Sequence, residues 1–314
     1  MIRIGVFGAG RFGNIHMNIL KEIAEFEIAG FYDPDQEKAA KTEKETGLKR
    51  FISEEELIDA SQAIDIVSST PSHFNLAQKA LKKSKHLFIE KPVTSTTEEA
   101  KTLLSFAAEA GVKVQVGHVE RFNPAFINAH DYILNPMFIE SHRLMEFENA
   151  KKDVSVLDDL MVHDIDILLQ IVKSPIKKIS ANSVGILNGT PDIVSARIEF
   201  DNGCVANLTA SRLAVKNMRI TRIYQKDASI SINFLDNKTG LIKQNEETGI
   251  KLELPEIKSA NAIKDELTRF SYAINNNSEP AVTLDHAIQA LAIAGMIQDK
   301  LKPQSNYFSD IAIS

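Results

Sequence analysis

The chain has 314 residues, of which 44% are hydrophobic and 25% are charged, and its formal net charge is −6. This length predicts one large or two ordinary globular domains with a sizeable core. The acidic balance argues against general binding to nucleic acids or to anionic membranes. Because Cys204 is the single cysteine, an internal disulfide and metal sites built from several cysteines are excluded.

The opening stretch MIRIGVFGAG lacks the pattern of a secretory leader, since its apolar run is short and meets glycines at once. No stretch approaches the roughly 18 apolar residues that a membrane-spanning helix needs. We therefore expect a cytoplasmic protein with neither a membrane nor a nucleic acid as its partner.

Short runs rich in Val, Ile and Phe alternate with helical segments through about residue 117. Their dense apolar composition is typical of strands covered on both faces. Ser53 with Glu56, and Ser95 with Glu98, have capping-box spacing and predict two helix starts. The βαβα order predicts a mostly parallel, doubly wound sheet. The runs are IRIGVFG, FEIAGFYD, AIDIVSST, HLFIEKP and VKVQVG.

The rhythm changes after about Val119. Helices are expected within RFNPAFINAHDYIL and VLDDLMVHDIDILLQIV, with a strand near 137–147 between them. Several strands follow, and two helices near 260–276 and 283–301 end the chain. This α+β order predicts a second domain with a large antiparallel sheet. The later strands are KKISANSVGI, DIVSARIEF, CVANLTASR, MRITRIYQ and ASISINF.

Gly8, Gly10 and Gly13 have G-x-G-x-x-G spacing between the first strand and the first helix, which is the context of a dinucleotide site. Gly8 permits a tight turn, Gly10 lets the backbone approach a pyrophosphate, and Gly13 lets helix and strand pack closely. The helix N-terminus, with Arg11 and Phe12, then offers N–H groups to the phosphates. A glycine-rich turn without a ligand is the alternative.

Asp33 ends the second strand, 20 positions after Gly13. A carboxylate there can accept hydrogen bonds from both ribose hydroxyls and would repel a 2′-phosphate. The expected cofactor is therefore NAD rather than NADP. The alternative is a turn residue before Pro34.

Asp159, His163 and Asp166 have i, i+4, i+7 spacing on a predicted helix, which places them on one face. A carboxylate one turn from an imidazole can select its tautomer and stabilise its protonated form. The pair is a candidate for acid–base chemistry, and a satisfied core histidine is the alternative. Because no second histidine follows at helical spacing, a zinc site is not expected on this helix.

The stretch FIEKP ends an apolar strand with Glu90, Lys91 and Pro92. Such a stretch is either a solvated turn or a device that points Lys91 at a substrate. In open α/β sheets, ligands bind at the carboxyl ends of the strands. A dinucleotide at the same edge favours the second interpretation, in which the ammonium stabilises a developing alkoxide.

These motifs occur together in the order found in the Gfo/Idh/MocA oxidoreductases, which the chain resembles over nearly its whole length. The resemblance implies an NAD-binding Rossmann domain, residues 1–119, and a substrate-binding α/β domain with an open, mostly antiparallel sheet, residues 120–314. It also implies cofactor contacts from Thr70, Pro71 and Glu90. It is carried by GVFGAGRFG, Asp33, SSTPS, IEKPVT, DLMVHDID, ELTRFSYAINNNSEP and LDHAIQALAIAGMI.

The resemblance further implies that Lys91, Asp159 and His163 form the catalytic set. In such enzymes the histidine takes the hydroxyl proton while hydride passes to the nicotinamide, and the lysine lowers the pKa of the hydroxyl. The bond between Lys91 and Pro92 is often cis in this family. One departure is Asn75, which stands where the family often has a histidine.

Two stretches, VGHVERFNPAF and LTASRLAVKNMR, are similar to the UDP-N-acetylglucosamine 3-dehydrogenase branch of the family. This implies oxidation of the 3-hydroxyl of a nucleotide sugar. Arg212, Lys216 and Arg219 cluster around a strand end and could pair with a diphosphate; exposed charges on a sheet are the alternative. The candidates for sugar contacts are His118, Glu120 and Arg121.

Three other functions remain open. An inositol-type polyol dehydrogenase would not need the basic cluster, and a biliverdin-reductase-like enzyme would not need the pair of Asp159 and His163. A cofactor-binding regulator without turnover is disfavoured by the intact catalytic set. The resemblance also implies a homodimer or homotetramer formed through the exposed side of ASISINF and its neighbours.

Overall fold

The structure is a computed structural model. It describes residues 1–147, 155–186, 190–245, 249–257 and 259–301. Within these residues, no helix is long and apolar enough to cross a membrane. The chain divides into two compact units, which are described separately below. The first comprises residues 1–122 and 261–291, and the second comprises the described residues of 123–260 and those from 292 on.

A five-stranded sheet forms the centre of the first unit, in the order β2-β1-β3-β4-β5. All of its strand pairs are parallel, so the predicted doubly wound sheet is confirmed. The strands are β1 (Ile2–Phe7), β2 (Phe26–Tyr32), β3 (Ala63–Ile66), β4 (His86–Glu90) and β5 (Val114–Gly117). The helices between them are α1 (Arg11–Leu20), α2 (Gln36–Thr46), α3 (Glu54–Asp59), α4 (Thr70–Lys82) and α5 (Thr97–Ala110).

Apolar side chains cover both faces of this sheet, which explains the continuous apolar runs in the sequence. Ile4 and Val6 pack in one core cluster, while Phe7 and Ile64 pack in another. The exposed fraction of all four side chains is 1% or less.

Helix α5 begins one residue later than the capping-box spacing predicted. Thr96, not Ser95, is its N-cap. The Thr96 hydroxyl accepts a hydrogen bond from the Glu99 N–H at 3.2 Å, and the Glu99 carboxylate accepts one from the Thr96 N–H at 3.3 Å. The sequence offers two capping boxes one position apart, Ser95 with Glu98 and Thr96 with Glu99. Only the backbone geometry decides which of them forms. The Ser53 cap of α3 is present as predicted.

The strand register places the carboxyl ends of the strands side by side. Phe7 pairs with Ile66, and Ile66 pairs with Ile89. The segments that follow β1, β3 and β4 therefore begin at the same edge of the sheet. The strand order also reverses between β1 and β3, which is where open α/β sheets bind ligands.

The C-terminal helices require a correction to the predicted second domain of residues 120–314. Helix α8 (Ala262–Asn275) and the first half of α9 (Leu284–Gln298) belong to the first unit. The Phe270 ring lies 5.9 Å from the Phe88 ring, edge to face, within the core of that unit. The pattern of an amphipathic helix indicates that one face is buried, but not which sheet buries it.

The second unit is built on an eight-stranded sheet in the order β13-β12-β11-β10-β6-β9-β8-β7. Its pairs are antiparallel except for β6 with β9, so the predicted large, mostly antiparallel sheet is confirmed. The last two strands, β12 and β13, were not predicted. The strands are β6 (Phe138–Glu146), β7 (Ile176–Val184), β8 (Ile193–Phe200), β9 (Val205–Ala214), β10 (Met218–Gln225), β11 (Ala228–Asn233), β12 (Lys238–Asn245) and β13 (Gly249–Glu253).

Helices cover one face of this sheet. They are α6 (Pro124–His130), a π-helical turn (Leu157–Met161) and α7 (Val162–Ile171). The π turn packs on β9, and α6 packs on β11 and β12. Along β6, Ile139, Ser141 and Arg143 are buried, whereas the alternate residues are partly exposed. The sheet thus has one covered and one open side.

Candidate active site

The glycine loop after β1 has the shape that its three glycines predict. Gly8 has a positive φ of 108°, and a Cβ there would lie 2.9 Å from the Val67 carbonyl oxygen. A Cβ on Gly13 would lie 1.9 Å from the Gly8 carbonyl oxygen. By contrast, a Cβ on Gly10 would have no atom within 4 Å. Gly8 and Gly13 therefore close the loop, and Gly10 leaves open space for a ligand.

The helix that follows presents a positive end to this space. Gly10 is the N-cap of α1 and has no side chain to accept the first N–H groups, and the first turn contains no acidic residue. Arg11 and Phe12 are exposed. These features suit the pyrophosphate of a dinucleotide, which would accept hydrogen bonds from the helix N-terminus. The residues present fit NAD.

Asp33 shapes the same loop. Its Oδ2 accepts a hydrogen bond from the Ala9 N–H at 2.7 Å, and its Oδ1 accepts one from the Asp35 N–H at 2.9 Å. The side chain is 6% exposed, and the Lys38 ammonium lies 3.9 Å from Oδ2. Since each carboxylate oxygen has a second lone pair, these contacts leave acceptor capacity for ribose hydroxyls.

The N-terminus of α4 lies at the same sheet edge. Thr70 and Pro71 form its first positions, and the N-cap Ser69 makes no side-chain capping bond. Pro71 is exposed, as is Asn75. The buried His73 has its ring nitrogens 3.0 Å from the Pro92 carbonyl oxygen and 3.1 Å from that of Ser68.

His73 therefore spans the α4 loop and the turn after β4. Its burial lowers its pKa. A neutral imidazole has one N–H, so it can donate a hydrogen bond to only one of these two carbonyl oxygens at a time. Nothing in the sequence signalled this bridge, and it was not predicted.

The turn after β4 carries Lys91, which is partly exposed, followed by a cis bond to Pro92. Glu90 faces inward, where its Oε2 accepts a hydrogen bond from the Lys91 N–H at 3.1 Å. A Cβ on the neighbouring Gly117 would lie 2.7 Å from the Glu90 Oε1. The absence of a side chain at Gly117 thus makes room for this carboxylate.

A buried histidine contacts the same carboxylate. The His16 Nδ1 on α1 lies 2.9 Å from the Asp65 Oδ2 on β3, and its Nε2 lies 3.5 Å from the Glu90 Oε1. Burial opposes a charge on His16, but the two carboxylates outweigh it, so the pKa of His16 is raised well above its usual range. The only sequence signal for this contact was a histidine in the apolar pattern of α1 and an aspartate in that of β3, and the contact was not predicted.

The predicted sugar-binding residues of the first unit follow β5. They lie in and next to a 3₁₀ turn, Val119–Phe122. His118 and Glu120 are buried, while Arg121 is partly exposed. The register pairs Glu90 with Gly117, so this turn begins beside the Lys91 turn. The structure therefore brings the Gly8 loop and the segments that carry Asp33, Thr70, Lys91 and His118 to one edge of the sheet.

In the second unit, Asp159 and His163 lie in one continuous helical segment, which begins as a π-helical turn and continues as an α-helix. Asp159 belongs to the π turn, whose hydrogen bonds run from i to i+5, and His163 lies in the first turn of α7. Both are partly exposed, whereas Asp166 is fully buried. The shared face of the three residues stays a prediction: His163 and Asp166 lie three positions apart in α7, and Asp159 lies in the π turn before it.

A buried ion pair anchors this segment to the sheet. The Arg143 guanidinium on β6 donates to both carboxylate oxygens of Asp164, from Nε at 2.9 Å and from Nη2 at 3.1 Å. The Ser141 hydroxyl also donates to the Asp164 Oδ1 at 2.9 Å. Since Asp164 directly follows His163, these bonds hold the start of α7 in place. The sequence signal was an arginine at an inward position of β6.

Arg212 was predicted to bind a diphosphate, but its guanidinium is directed at protein groups instead. It is buried near the end of β9, where its Nε lies 3.1 Å from the Asp192 Oδ1. Its Nη2 donates to the Pro191 carbonyl at 2.9 Å. The guanidinium thus supports the segment before β8. Lys216 and Arg219, by contrast, are exposed around the turn between β9 and β10.

In the part of the chain that the structure describes, no group of three or more His, Cys, Asp or Glu side chains could hold a metal ion. Cys204 is buried, and burial raises the pKa of its thiol to about 11. It has the properties of a core residue.

Two family models match the chain. The model described as "Oxidoreductase family, NAD-binding Rossmann fold" matches residues 2–118. The model described as "GFO/IDH/MocA C-terminal domain" matches residues 128–231. Together they cover more than half of the sequence, and they match in the order in which the two sheets occur.

Curated relatives match over most of their length. A UDP-N-acetylglucosamine 3-dehydrogenase of Acidithiobacillus ferrooxidans is 32% identical over 279 residues, which cover 87% of this chain and 88% of that protein. A scyllo-inositol 2-dehydrogenase (NAD(+)) of Bacillus subtilis is 27% identical over 305 residues, which cover 90% of this chain and 89% of that protein.

Solved structures share the fold. The A. ferrooxidans UDP-N-acetylglucosamine 3-dehydrogenase GnnA has a TM-score of 0.91 at 30% identity, with coverage of 96% of this chain and 97% of that one. An oxidoreductase from Agrobacterium radiobacter, solved with NAD⁺, L-tartaric acid and magnesium, has a TM-score of 0.85 at 14% identity, with coverage of 95% and 96%. At this identity the second likeness concerns the fold alone.

The glycine loop gives a matched pair of variants. Gly13→Ala should lower the free energy of unfolding by about 1–3 kcal/mol, because the new methyl group overlaps the Gly8 carbonyl. Gly10→Ala should leave thermal stability unchanged and weaken NAD binding by about tenfold, or about 1.4 kcal/mol. Thermal melts and NAD titration by calorimetry measure both. A stable Gly13→Ala protein, or normal NAD affinity in Gly10→Ala, would contradict this division of roles.

Asp33→Asn should weaken NAD binding by about 1.5–3 kcal/mol, because a charged acceptor of the ribose hydroxyls is lost. It should also reduce the preference for NAD over NADP, since the repulsion of a 2′-phosphate disappears. Calorimetric titration with both nucleotides measures this. The matched control is Asp35→Asn, which keeps an N-cap on α2. An unchanged NAD-to-NADP ratio in Asp33→Asn would remove the assignment.

Proposed function

This chain belongs to the Gfo/Idh/MocA family of oxidoreductases and is an NAD-dependent dehydrogenase of CH–OH groups, and we propose that its substrate is a UDP-N-acetylated sugar, oxidised at the 3-hydroxyl. The observation that carries the proposal is the similarity, along nearly the whole chain, to a UDP-N-acetylglucosamine 3-dehydrogenase. In the reaction, hydride leaves the sugar carbon for the nicotinamide, the hydroxyl proton goes to a base, and a keto sugar forms.

In this proposal the first unit binds the cofactor and polarises the substrate. The glycine loop and α1 hold the pyrophosphate, and Asp33 holds the ribose. The Lys91 ammonium stabilises the alkoxide that develops as the hydroxyl proton leaves. Its support is the position of Lys91, which begins the segment after β4 at the same sheet edge as the glycine loop.

The second unit supplies the base in this proposal. His163 accepts the hydroxyl proton, and Asp159 stabilises the resulting imidazolium. Partial exposure of both side chains supports this role, since a base must reach the substrate. The buried bonds between Arg143 and Asp164 would keep the imidazole from shifting as it becomes charged.

The diphosphate is assigned to the exposed Lys216 and Arg219 rather than to Arg212, which is buried against Asp192. His118 and Arg121 remain the proposed sugar contacts. The second candidate is a polyol dehydrogenase, since a scyllo-inositol dehydrogenase also matches most of the chain. A polyol carries no phosphate, so its oxidation would not depend on Lys216.

A substrate panel tests the proposal. NADH formation should be seen with UDP-N-acetylglucosamine or UDP-N-acetylgalactosamine and not with scyllo- or myo-inositol. His163→Ala should lower kcat by about 10²–10⁴-fold, the usual effect of losing acid–base help. The exposed His130 provides the control variant His130→Ala, which should keep wild-type rates. Turnover of inositol alone, or a wild-type kcat in His163→Ala, would contradict the proposal.

We also propose that the open side of the eight-stranded sheet joins two copies of the chain. One cross-strand row on that side runs through Phe138, Tyr224, Ser229, Ile242 and Leu252. The Ile242 and Leu252 side chains are exposed by 44% and 62%. A row of this length on a solvent-facing sheet, apolar or aromatic except at Ser229, is typical of an association surface.

Light scattering after size-exclusion chromatography tests this surface. The wild-type chain should elute as a dimer or tetramer, and Tyr224→Arg should shift it toward the monomer, because a charge would be buried without a partner. Tyr272→Arg, at an exposed position of α8, is the control and should not change the mass. A monomeric wild-type protein would refute the proposal.

A further inference from the structure

A chain of buried charges crosses from α1 to the turn that carries Lys91. His16 is fully buried between Asp65, also fully buried, and Glu90, whose side chain is 19% exposed. The Phe88 ring packs edge to face on the imidazole, with the centroids 5.7 Å apart. The ring is therefore enclosed by one aromatic and two carboxylate groups, and its orientation is narrowly defined.

The arrangement favours a charged imidazole. Both ring nitrogens face carboxylate oxygens, and only the protonated ring carries a proton on each. Neither the second oxygen of Asp65, Oδ1, nor the His16 Nε2 has a hydrogen-bond partner among the described residues, so the contact between Nε2 and Glu90 at 3.5 Å is an ionic one. Without the positive charge of His16, two carboxylates would lie buried with little compensation. In keeping with this, the pKa of Glu90 is lowered: its burial would raise it, but the attraction of His16 outweighs that effect.

Glu90 transmits this constraint to the turn. One oxygen faces His16, and the other accepts the Lys91 N–H. The carboxylate also packs on the bare backbone of Gly117. A rotation of the Glu90 side chain would therefore release the backbone of Lys91, the residue that starts the turn.

We propose that His16 is a positioning residue for Lys91, which it reaches through the Glu90 carboxylate. This inference rests on the proposed role of Lys91. His16 also lies in the helix that begins at the glycine loop, so one side chain ties the cofactor-binding helix to the turn. In a dehydrogenase this link keeps the ammonium in register with the cofactor while hydride is transferred.

The variant His16→Asn distinguishes the contact of the histidine with Asp65 from its contact with Glu90. Its amide nitrogen occupies the place of Nδ1, so His16→Asn keeps a donor for Asp65 but loses the charge and the group that faces Glu90. Glu90→Gln removes the negative charge and leaves only one acceptor oxygen for His16 Nε2 and the Lys91 N–H. The control is His86→Asn, at the opposite end of β4, where the histidine accepts a hydrogen bond from the Lys113 N–H at 3.0 Å.

His16→Asn and Glu90→Gln should each lower kcat by about 10- to 100-fold, the effect of a small misplacement of a catalytic group. The affinity for NAD should stay at the wild-type level in His16→Asn. The double variant should be no slower than the slower single variant, because both changes release the same contact. His86→Asn should keep the wild-type kcat. Additive losses in the double variant, or a loss confined to NAD affinity, would overturn the inference.

A measurement without turnover separates this inference from the proposed function. In ¹⁵N NMR of the full chain, the His16 ring should show both nitrogens protonated at neutral pH, and Glu90→Gln should change its signals. A neutral His16 ring would overturn the inference even if the enzyme is active. If Lys91→Met keeps the wild-type kcat while the His16 signals are as expected, the proposed role of Lys91 fails instead.

Discussion

The parallel register of the five-stranded sheet is the constraint on which the proposed chemistry depends. Phe7, Ile66 and Ile89 lie side by side in neighbouring strands, so the chain leaves β1, β3 and β4 at one edge. Because each crossover helix returns the chain to the opposite edge, the N-termini of α1 and α4 meet this edge as well. Residues that are far apart in sequence, such as Gly8 and Lys91, therefore lie at the same edge of the sheet, and the strand register alone is enough to bring them there.

Buried ion pairs position the segments that the second sheet carries. Arg143 binds Asp164 next to His163, and Arg212 binds Asp192. Removing charges from water costs about as much free energy as their attraction returns, so such pairs add little net stability. Their directional bonds, however, allow only one arrangement, which an apolar contact of the same size would not. Precise placement is what acid–base and hydride chemistry require.

The sequence predicted helices and strands well where apolar residues recur with a regular spacing. It predicted them less well where two neighbouring residues could make the same hydrogen bond. The apolar runs of the parallel sheet and the strands from β6 to β11 were found in the right order. Ser95 and Thr96 offered two caps one residue apart, and the cap at Thr96 formed. The strands β12 and β13 were missed because β12 has only two apolar residues, Leu241 and Ile242, which are adjacent rather than alternating, and because β13 is only five residues long.

The sequence by itself determined the two sheets, the glycine loop, Asp33 and the candidate residues Lys91 and His163, because these depend on local spacing and on residue types with few other uses. Only the tertiary structure decided that α8 belongs to the first unit, that Asp166 is fully buried while His163 is partly exposed, and that Arg212 lies against Asp192. It alone revealed the contacts of His16 with Asp65 and Glu90. Such contacts join residues far apart in the chain, and an apolar or charged side chain does not encode which distant surface will bury it.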